Sequence, residues 1–158
     1  MLVELVEKLD VWVVQRNLEA RAEGLPALAP CILRLLGQSA LFEMRAPLTL
    51  AVTNDVDLYA NYSYAIEVEL RRLLKSVGKD LDAFGHEIWM PKETKYERVY
   101  SGEYVSLEIA DMESILLSKA LKAPRKNRAL IVEYLAQGAS PRFLHLAGKY
   151  ALDLEAFV

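Results

Sequence analysis

The sequence predicts an α/β fold (α+β in the broad sense): a small mixed β-sheet with flanking helices, followed by a C-terminal helical subdomain. Apolar residues recur at helical spacing from Met1 to about Ala22. Short apolar runs of strand character fill the middle of the chain, and Gly, Pro and polar turns separate them. After Asp111 the patterns are helical. We therefore expect an α/β core with an N-terminal helix at residues 1–110 and a helical subdomain packed on it at residues 111–158.

Composition limits the classes of protein to which the chain can belong. Its 158 residues are 53% apolar and 26% charged, which is enough apolar side chain for one packed domain. A net charge of -3 argues against broad, non-specific binding to a nucleic-acid backbone. No signal peptide is recognisable, and no uncharged run approaches the ~20 residues that span a bilayer. We expect a cytoplasmic protein with no membrane partner, in which the single cysteine, Cys31, is a buried thiol.

The first half of the chain contains several predicted elements after the N-terminal helix. CILRLL is predicted as a strand that ends at Gly37, and QSALFEMR as a short helix that Pro47 closes. LTLAV and DVDLY are predicted as one strand, or as two strands joined by a bend. Residues 63–77 are predicted as an amphipathic helix, because their apolar side chains fall on one helical face.

The second half begins with strands and ends with helices. Residues 84–90 are predicted as a strand that runs into Pro91. ERVY and YVSLEI are predicted as the two strands of a hairpin. Asp111 is predicted to cap the next helix. Three further helices are predicted to begin at Pro124, Ser140 and Asp153.

Two aspartates, Asp55 and Asp57, flank one valine in DVDLY. Side chains at i and i+2 of a strand point to the same face, so both carboxylates can approach one divalent cation. Without a cation or a strong donor these like charges would repel each other. Such oxygen ligands suit Mg²⁺, which binds one or two carboxylates together with substrate phosphates. The alternative is a solvated strand face with Val52, Val56 and Leu58 toward the core, and the D-x-D pattern alone favours that alternative.

The stretch LLGQSAL, which precedes the aspartates, joins an apolar strand to a helix through a glycine. A glycine lets the backbone approach a phosphate, and a helix N-terminus offers free N–H groups and a positive dipole end. If D-x-D lies on a neighbouring strand, phosphate donors and a metal site come together. Taken alone, Gly37 is typical of an ordinary turn from strand to helix.

Three stretches form an ordered set: LLGQSALFEM, TNDVDLY and the two-part stretch WMPKETKYERVY…LEIADMESILLSKALKA. This set resembles the nucleotidyltransferase superfamily related to DNA polymerase beta. More narrowly, it resembles bacterial nucleotidyltransferase-like domains allied to the AbiEii abortive-infection toxins. The resemblance covers roughly residues 30–135. It implies Mg²⁺-dependent transfer of a nucleotide from a nucleoside triphosphate to an RNA or protein acceptor. It also implies a toxin that pairs with an antitoxin protein.

The resemblance implies catalytic roles for individual residues. Asp55 and Asp57 would hold the metal. Superfamily enzymes usually add a third carboxylate from a nearby strand, and Glu108 is the candidate because it alternates away from the apolar side chains of YVSLEI. A solvated strand residue is the equal alternative for Glu108.

The resemblance also implies a nucleotide-binding set of Gly37, Gln38, Ser39 and Lys119. The first three belong to the turn that would meet phosphates, and Gln38 stands where a second small residue is expected. Lys119 matches a lysine on the first C-terminal helix of the family and could reach a triphosphate as a point charge. The alternative for Lys119 is a surface lysine whose stem lies along apolar side chains.

Three departures from the family pattern favour a different function. Gln38, Ala51 and Asn127 stand where a small residue, an arginine and an acid are expected. They point to the main alternative, a catalytically degenerate nucleotide-binding or protein-interaction module of the same fold. A purely structural partner protein is a third alternative, for which the weakly polar N-terminal helix with Trp12 is the one candidate surface.

A basic set spans the predicted turn between the first two C-terminal helices. It is predicted to be a solvated helix end, with contacts to phosphates or RNA as the alternative. Its members are Lys119, Lys122, Arg125, Lys126 and Arg128.

Overall fold

The computed structural model describes residues 1–158 as six α-helices and five β-strands. The helices are α1 (Leu2–Ala22), α2 (Gly37–Glu43), α3 (Tyr64–Lys75), α4 (Met112–Lys122), α5 (Arg128–Ala136) and α6 (Pro141–Lys149). The strands are β1 (Cys31–Leu36), β2 (Asp55–Tyr59), β3 (Asp80–Leu81), β4 (Tyr96–Ser101) and β5 (Val105–Ala110). Two short 3₁₀ turns lie at Gly85–Glu87 and Leu154–Phe157. The predicted α/β class is confirmed.

The five strands form one mixed sheet in the order β3-β2-β1-β5-β4. The central strand β1 pairs antiparallel with β2 and parallel with β5. The outer pairs are β2 with β3, which is parallel, and β5 with β4, which is antiparallel. In this register Leu36 lies opposite Asp57, and Arg34 lies opposite Glu108. The strand that leads into Gly37 therefore lies between the aspartate strand and the strand of Glu108.

The N-terminal helix packs on the sheet as the amphipathic pattern predicts. α1 lies across β5 and against α3. Its inward side chains are buried, with Leu9 and Val13 fully removed from water. Alternate residues of the strands meet it, and they are almost completely buried: Leu33, Leu35, Val56, Val105 and Leu107. No helix of the chain combines the length and the apolar character needed to cross a bilayer.

Asp10 ties α1 to the turn between β4 and β5. Its buried carboxylate accepts hydrogen bonds from the backbone N–H groups of Glu103 at 3.0 Å, Tyr104 at 2.7 Å and Val105 at 2.8 Å. With the Tyr100 hydroxyl, which donates to Oδ2 at 3.5 Å, four donors satisfy the charge without any basic side chain, so this carboxylate acts as a clamp between distant parts of the chain. Cys31 is buried as predicted, and burial raises the pKa of its thiol to about 11.

The C-terminal helices begin largely where their capping residues predict. The Asp111 carboxylate accepts a hydrogen bond from the N–H of Ser114 at 3.1 Å, and Ser140 caps α6 by accepting from the N–H of Phe143 at 3.1 Å. The helix α4 contacts both α2 and α6. The side of α4 that faces α2 therefore reaches the turn at Gly37, and Lys119 on this side lies near β2.

Three predicted elements are wrong. Residues 48–52 form a loop, in which Val52 is 88% exposed instead of facing the core. This loop is held by hydrogen bonds from the N–H of Thr49 to Glu133 at 3.0 Å and from Gln38 to the Ala51 carbonyl at 3.0 Å. Side-chain contacts from distant helices therefore replace the ladder that a strand would have needed.

Residues 84–90 form a turn instead of a strand. The Asp82 carboxylate accepts a hydrogen bond from the N–H of Phe84 at 2.8 Å, and the chain then passes directly over β2. A Cβ on Gly85 would lie 2.9 Å from the Leu58 carbonyl oxygen. Pro124 does not start a helix either, because residues 123–127 close α4 in a turn, in which Asn127 donates to the Ala123 carbonyl at 3.0 Å.

Candidate functional site

The two aspartates of β2 lie on the face of the strand opposite to the buried Val56 and Leu58. Gly37 has a φ of +60°, a conformation that L side chains rarely adopt. A Cβ at Gly37 would lie 3.1 Å from Cγ of Asp57 and would overlap its Oδ2. The Asp57 carboxylate thus rests against the backbone of the turn, where only a glycine leaves room for it.

A carboxylate from another strand end, that of Asp82, meets Asp57. The two-residue strand β3 pairs with β2, and the N–H of Asp82 then donates to the Val56 carbonyl at 2.9 Å. This pairing brings the side chain of Asp82 into hydrogen-bond contact with Asp57. In the sequence, Asp82 ends a second D-x-D pattern, Asp80-Leu81-Asp82 in KDLDAFG, and this pattern is the signal that points to it.

The pKa of Asp57 is strongly raised. Burial is the largest cause. The hydrogen bond with Asp82 and the negative charge of Asp82 add to it, so the pKa of Asp57 is about 7 against an ordinary value of 3.8. The positive charge of Lys119 acts in the opposite direction. Asp57 therefore holds its proton up to about neutral pH, because it is partly buried and lies against a second carboxyl group. A divalent cation that binds Asp57 and Asp82 can replace the proton that Asp57 holds.

Lys119 lies on α4 and faces the carboxylates. Burial lowers its pKa most, the negative charge of Asp57 raises it, and the positive charge of Lys126 lowers it further. Lys119 makes no ion pair with any carboxylate in the chain. A half-buried ammonium group without a partner beside a carboxylate pair can receive a phosphate oxygen.

These groups line a cleft of about 440 Å³, which we call the carboxylate cleft. Its walls include Asp55, Asp57, Asp82, Lys119 and Asn127. Part of the loop before β2 forms its edge, where Gln38 holds the Ala51 carbonyl. The volume lies within the range that small-molecule ligands occupy.

The three residues of the predicted phosphate turn have different surroundings. Gly37 lies against Asp57, and Gln38 lines the carboxylate cleft. Ser39 is buried, and its hydroxyl donates to the Asp55 carbonyl at 2.9 Å. This serine therefore positions the start of β2, and its hydroxyl is not turned toward the cleft.

Glu108 lies apart from the aspartates. Its carboxylate accepts from Arg34 at 3.1 Å and from Arg98 at 3.1 Å, so two guanidinium groups neutralise it. It shares a sheet face with Asp57 but sits opposite Arg34, and it does not line the carboxylate cleft. The catalytic role of Glu108 stays a prediction, and Asp82 is the carboxylate that the structure brings against Asp57.

The carboxylate cleft fits Mg²⁺ by the chemistry of its donors. Asp57 and Asp82 offer hard oxygen ligands, and Asp57 is partly withdrawn from water and crowded by a like group. No group of three or more His, Cys, Asp or Glu side chains is arranged to hold an ion by itself. Because Mg²⁺ keeps several waters and takes one or two carboxylates with substrate phosphates, two carboxylates suit an ion that binds together with a phosphorylated ligand.

No protein-family model, curated protein or solved structure matches the chain. The side chains of the carboxylate cleft are therefore the features that indicate a function.

Proposed function

We propose that the chain is a Mg²⁺-dependent nucleotidyltransferase, which transfers a nucleotide from a nucleoside triphosphate to an acceptor hydroxyl. One observation carries this proposal. The Asp57 carboxyl, with its pKa raised to about 7, is hydrogen-bonded to Asp82 and lies between the Gly37 turn and the unpaired Lys119. A carboxylate pair beside a free ammonium group suits a metal ion and a polyphosphate at the same site.

Each side chain has a distinct task in this proposal. Asp57 gives up its proton and, with Asp55 or Asp82, provides the oxygen ligands. Bound Mg²⁺ supplies charge neutralisation on the phosphates. Lys119 holds the phosphate chain as a point charge. The acceptor hydroxyl loses its proton to water, its oxygen bonds to the α-phosphorus, the bond from that phosphorus to the bridging oxygen breaks, and pyrophosphate leaves. The protein contributes mainly positioning and charge stabilisation.

The acceptor is an RNA or a protein in this proposal, and an antitoxin protein is the partner. Both the acceptor and the antitoxin follow from the resemblance to the nucleotidyltransferase family, by analogy of function within a shared fold. Expression of the chain in a bacterial host should slow growth, and Asp57→Asn should restore it. Equal slowing by both proteins would contradict catalysis as the cause.

A second candidate function is a nucleotide-binding module that transfers nothing. The engaged hydroxyl of Ser39 and the neutralised carboxylate of Glu108 favour it, because neither group is free to act on a nucleotide. The two candidates agree on nucleotide binding and differ in whether a new covalent bond forms.

Isothermal titration with each of the four ribonucleoside triphosphates, with and without Mg²⁺, tests the proposal. Mg²⁺ should strengthen the binding of at least one nucleotide, and Asp57→Asn and Asp82→Asn should each remove that gain. Asp153→Asn is the matched control, because Asp153 is exposed near the C-terminus and does not line the carboxylate cleft. The absence of metal-dependent binding for all four nucleotides would refute the enzyme, and the absence of any nucleotide binding with or without Mg²⁺ would refute both candidate functions.

Transfer is then measured directly. The chain is incubated with an α-labelled form of the nucleotide that binds, with Mg²⁺, and with total bacterial RNA or protein extract as acceptor. Label in either fraction that Asp57→Asn abolishes supports the enzyme. Metal-dependent binding without labelled product in either fraction supports the binding module instead.

A further inference from the structure

The face of the sheet opposite to α1 carries a second concave site, which we call the sheet groove. It has a volume of about 500 Å³, and no residue lines both the sheet groove and the carboxylate cleft. Three of the residues that line it belong to one row across the sheet: Tyr59 of β2, Arg34 of β1 and Arg98 of β4. Asp57 lies two residues from Tyr59 on β2, toward the Gly37 turn. The sheet groove is therefore separate from the proposed metal site.

Two guanidinium groups line the sheet groove and are held at one end only. Nε of Arg34 donates to the Glu108 carboxylate at 3.1 Å, and its guanidinium carbon lies 4.4 Å from the centroid of the Tyr96 ring. The two Nη groups of Arg34 make no hydrogen bond within the chain. Arg98 donates to the same carboxylate from Nε at 3.2 Å and from Nη2 at 3.1 Å, while its Nη1 reaches only the Ser101 hydroxyl, at 3.5 Å. Both arginines are thus fixed in place with N–H groups left for a ligand.

Ser106 lines the sheet groove with a hydroxyl that has no partner. The residue is only 8% exposed and lies on β5 opposite Ile32. The other three buried serines each donate a hydrogen bond from the hydroxyl to an oxygen of the chain; they are Ser39, Ser114 and Ser118. No group of the chain bonds to the hydroxyl of Ser106. Because a polar group withdrawn from water is costly without a partner, this hydroxyl indicates a ligand in the groove.

Two carboxylates lie near these donors, and they differ in position. Glu108 is matched by both arginines, with ion pairs of 3.1 Å to each. Glu103 lines the sheet groove from the turn between β4 and β5, where its side chain is exposed and makes no hydrogen bond. Free donors therefore outnumber free acceptors in the groove, and the carboxylate of Glu103 opposes an anionic ligand only from the exposed turn.

We infer that the sheet groove binds a phosphate monoester with an apolar or aromatic body, a function beyond the one proposed above. Arg34, Ser106 and Arg98 donate from three neighbouring strands, β1, β5 and β4. A phosphoryl group has three terminal oxygens for three such donors, whereas a carboxylate has two. The half-exposed ring of Tyr59 and the side chain of Ile32 offer a surface for the body of the ligand. The volume of the groove suits a small molecule.

Phenyl phosphate is a suitable probe, because it joins a phosphate monoester to an aromatic ring. Calorimetry without Mg²⁺, in the presence of a chelator, should show saturable binding of phenyl phosphate, weaker binding of benzoate and none of phenol. Amide NMR spectra locate the ligand: the signals of Ile32 and Ser106 should shift on titration, and that of Asp57 should not. Benzoate that binds as tightly as phenyl phosphate would show a carboxylate site and overturn the inference.

Variants with opposite expected signs identify the binding residues. Ser106→Ala and Arg34→Lys should each weaken the binding of phenyl phosphate by roughly tenfold, the usual effect of one lost hydrogen bond to a charged group. Glu103→Gln should strengthen it roughly twofold, because it removes a like charge from the edge of the groove. Arg125→Lys is the matched control, since Arg125 is exposed and lines neither the sheet groove nor the carboxylate cleft. Urea denaturation should show that Ser106→Ala loses no stability, because its hydroxyl holds nothing within the chain.

The remaining outcomes decide the inference and name the source of the phosphate. If phenyl phosphate does not bind, or binds Ser106→Ala and Arg34→Lys as tightly as the unaltered chain, the inference is overturned. A single-stranded RNA oligonucleotide with and without a terminal phosphate distinguishes the two sources. Tighter binding of the phosphorylated oligonucleotide, lost in Ser106→Ala, supports the inference with a nucleic-acid end as the ligand, and no binding of either oligonucleotide supports it with a free small molecule. Displacement of phenyl phosphate by both oligonucleotides equally would show contacts to the RNA backbone and overturn it.

Discussion

Asp10 and Asp57 are both partly or fully withdrawn from water, and their surroundings differ in one decisive respect. Asp10 accepts hydrogen bonds from three backbone N–H groups of the turn between β4 and β5. Asp57 instead meets the carboxyl group of Asp82 and the face of Gly37. The oxygens of Asp10 accept hydrogen bonds within the fold, whereas Asp57 lies against a second acidic group that raises its pKa. A carboxylate whose neighbours are donors stabilises structure, and a carboxylate whose neighbour is another carboxylate indicates a ligand site.

The largest expected effect is the loss of the clamp at Asp10. Asp10→Ala should lower the free energy of unfolding by about 4 kcal/mol, because it leaves three N–H groups of the turn without an acceptor. Urea denaturation measures the change. Asp10→Asn keeps Oδ1, which serves Tyr104 and Val105, and should lose about half as much. A loss below about 1 kcal/mol for Asp10→Ala would place this carboxylate among ordinary surface groups.

The next effect concerns the turn that supports Asp57. Gly37→Ala should destabilise the fold by about 3 kcal/mol, from the φ of +60° and from the overlap of the new Cβ with the Asp57 carboxylate. Gly78→Ala is the matched control, because Gly78 has a φ of +74° and nothing within 4 Å of an added Cβ, so it should lose only about 1 kcal/mol. Equal losses in chemical denaturation would show that Asp57 does not press on the turn.

The smallest of the three effects has the opposite sign. The folded state raises the pKa of Asp57, so it holds a proton that the unfolded chain has released, and stability falls as the pH rises from about 4 to about 7. Asp57→Asn should therefore stabilise the chain by about 2 kcal/mol at pH 8. This is less than the full pKa shift would give, because water still screens part of the carboxyl group.

The gain from Asp57→Asn should shrink to roughly half a kcal/mol near pH 4, where the unfolded chain is about half protonated at this group, and should vanish below about pH 3. Urea denaturation of both proteins at pH 4, 6 and 8 measures this gain. If Asp57→Asn is no more stable than the unaltered chain at pH 8, the carboxyl groups of Asp57 and Asp82 are not in conflict.

The parts of the fold that depend on local signals could be predicted from the sequence. Cys31–Leu36 ends at a glycine, and Asp111 caps α4, because a residue with a special backbone preference stands at each boundary. The D-x-D spacing also predicts which face of β2 carries the aspartates. The loop at residues 48–52 could not be predicted, because its alternation imitates a strand and the contact from Glu133 is 84 positions away.

The candidate site was predictable only in part. Asp82 reaches Asp57 through a strand of two residues, which is too short for any periodicity to show. The alternation in YVSLEI predicts the face of the strand on which Glu108 lies. It does not predict how far along the strand Glu108 is from the aspartates, or that Arg34 and Arg98 bind its carboxylate. The position of Ser39 in the turn predicts a contact with phosphates, whereas its hydroxyl donates to the Asp55 carbonyl at the start of the next element, β2.

The pairing of β1 with β5 has a consequence for the synthesis of the chain. It joins residues that lie 74 positions apart, so one edge of the central strand stays open on the ribosome until Val105–Ala110 has emerged. Assembly of the sheet must follow this late closure, which favours slow folding and exposes nascent chains to aggregation. Because Lys119 comes later still, a growing polypeptide carries its aspartates without the lysines opposite them. Any nucleotide chemistry at this site is therefore silent until translation has passed the helix α4.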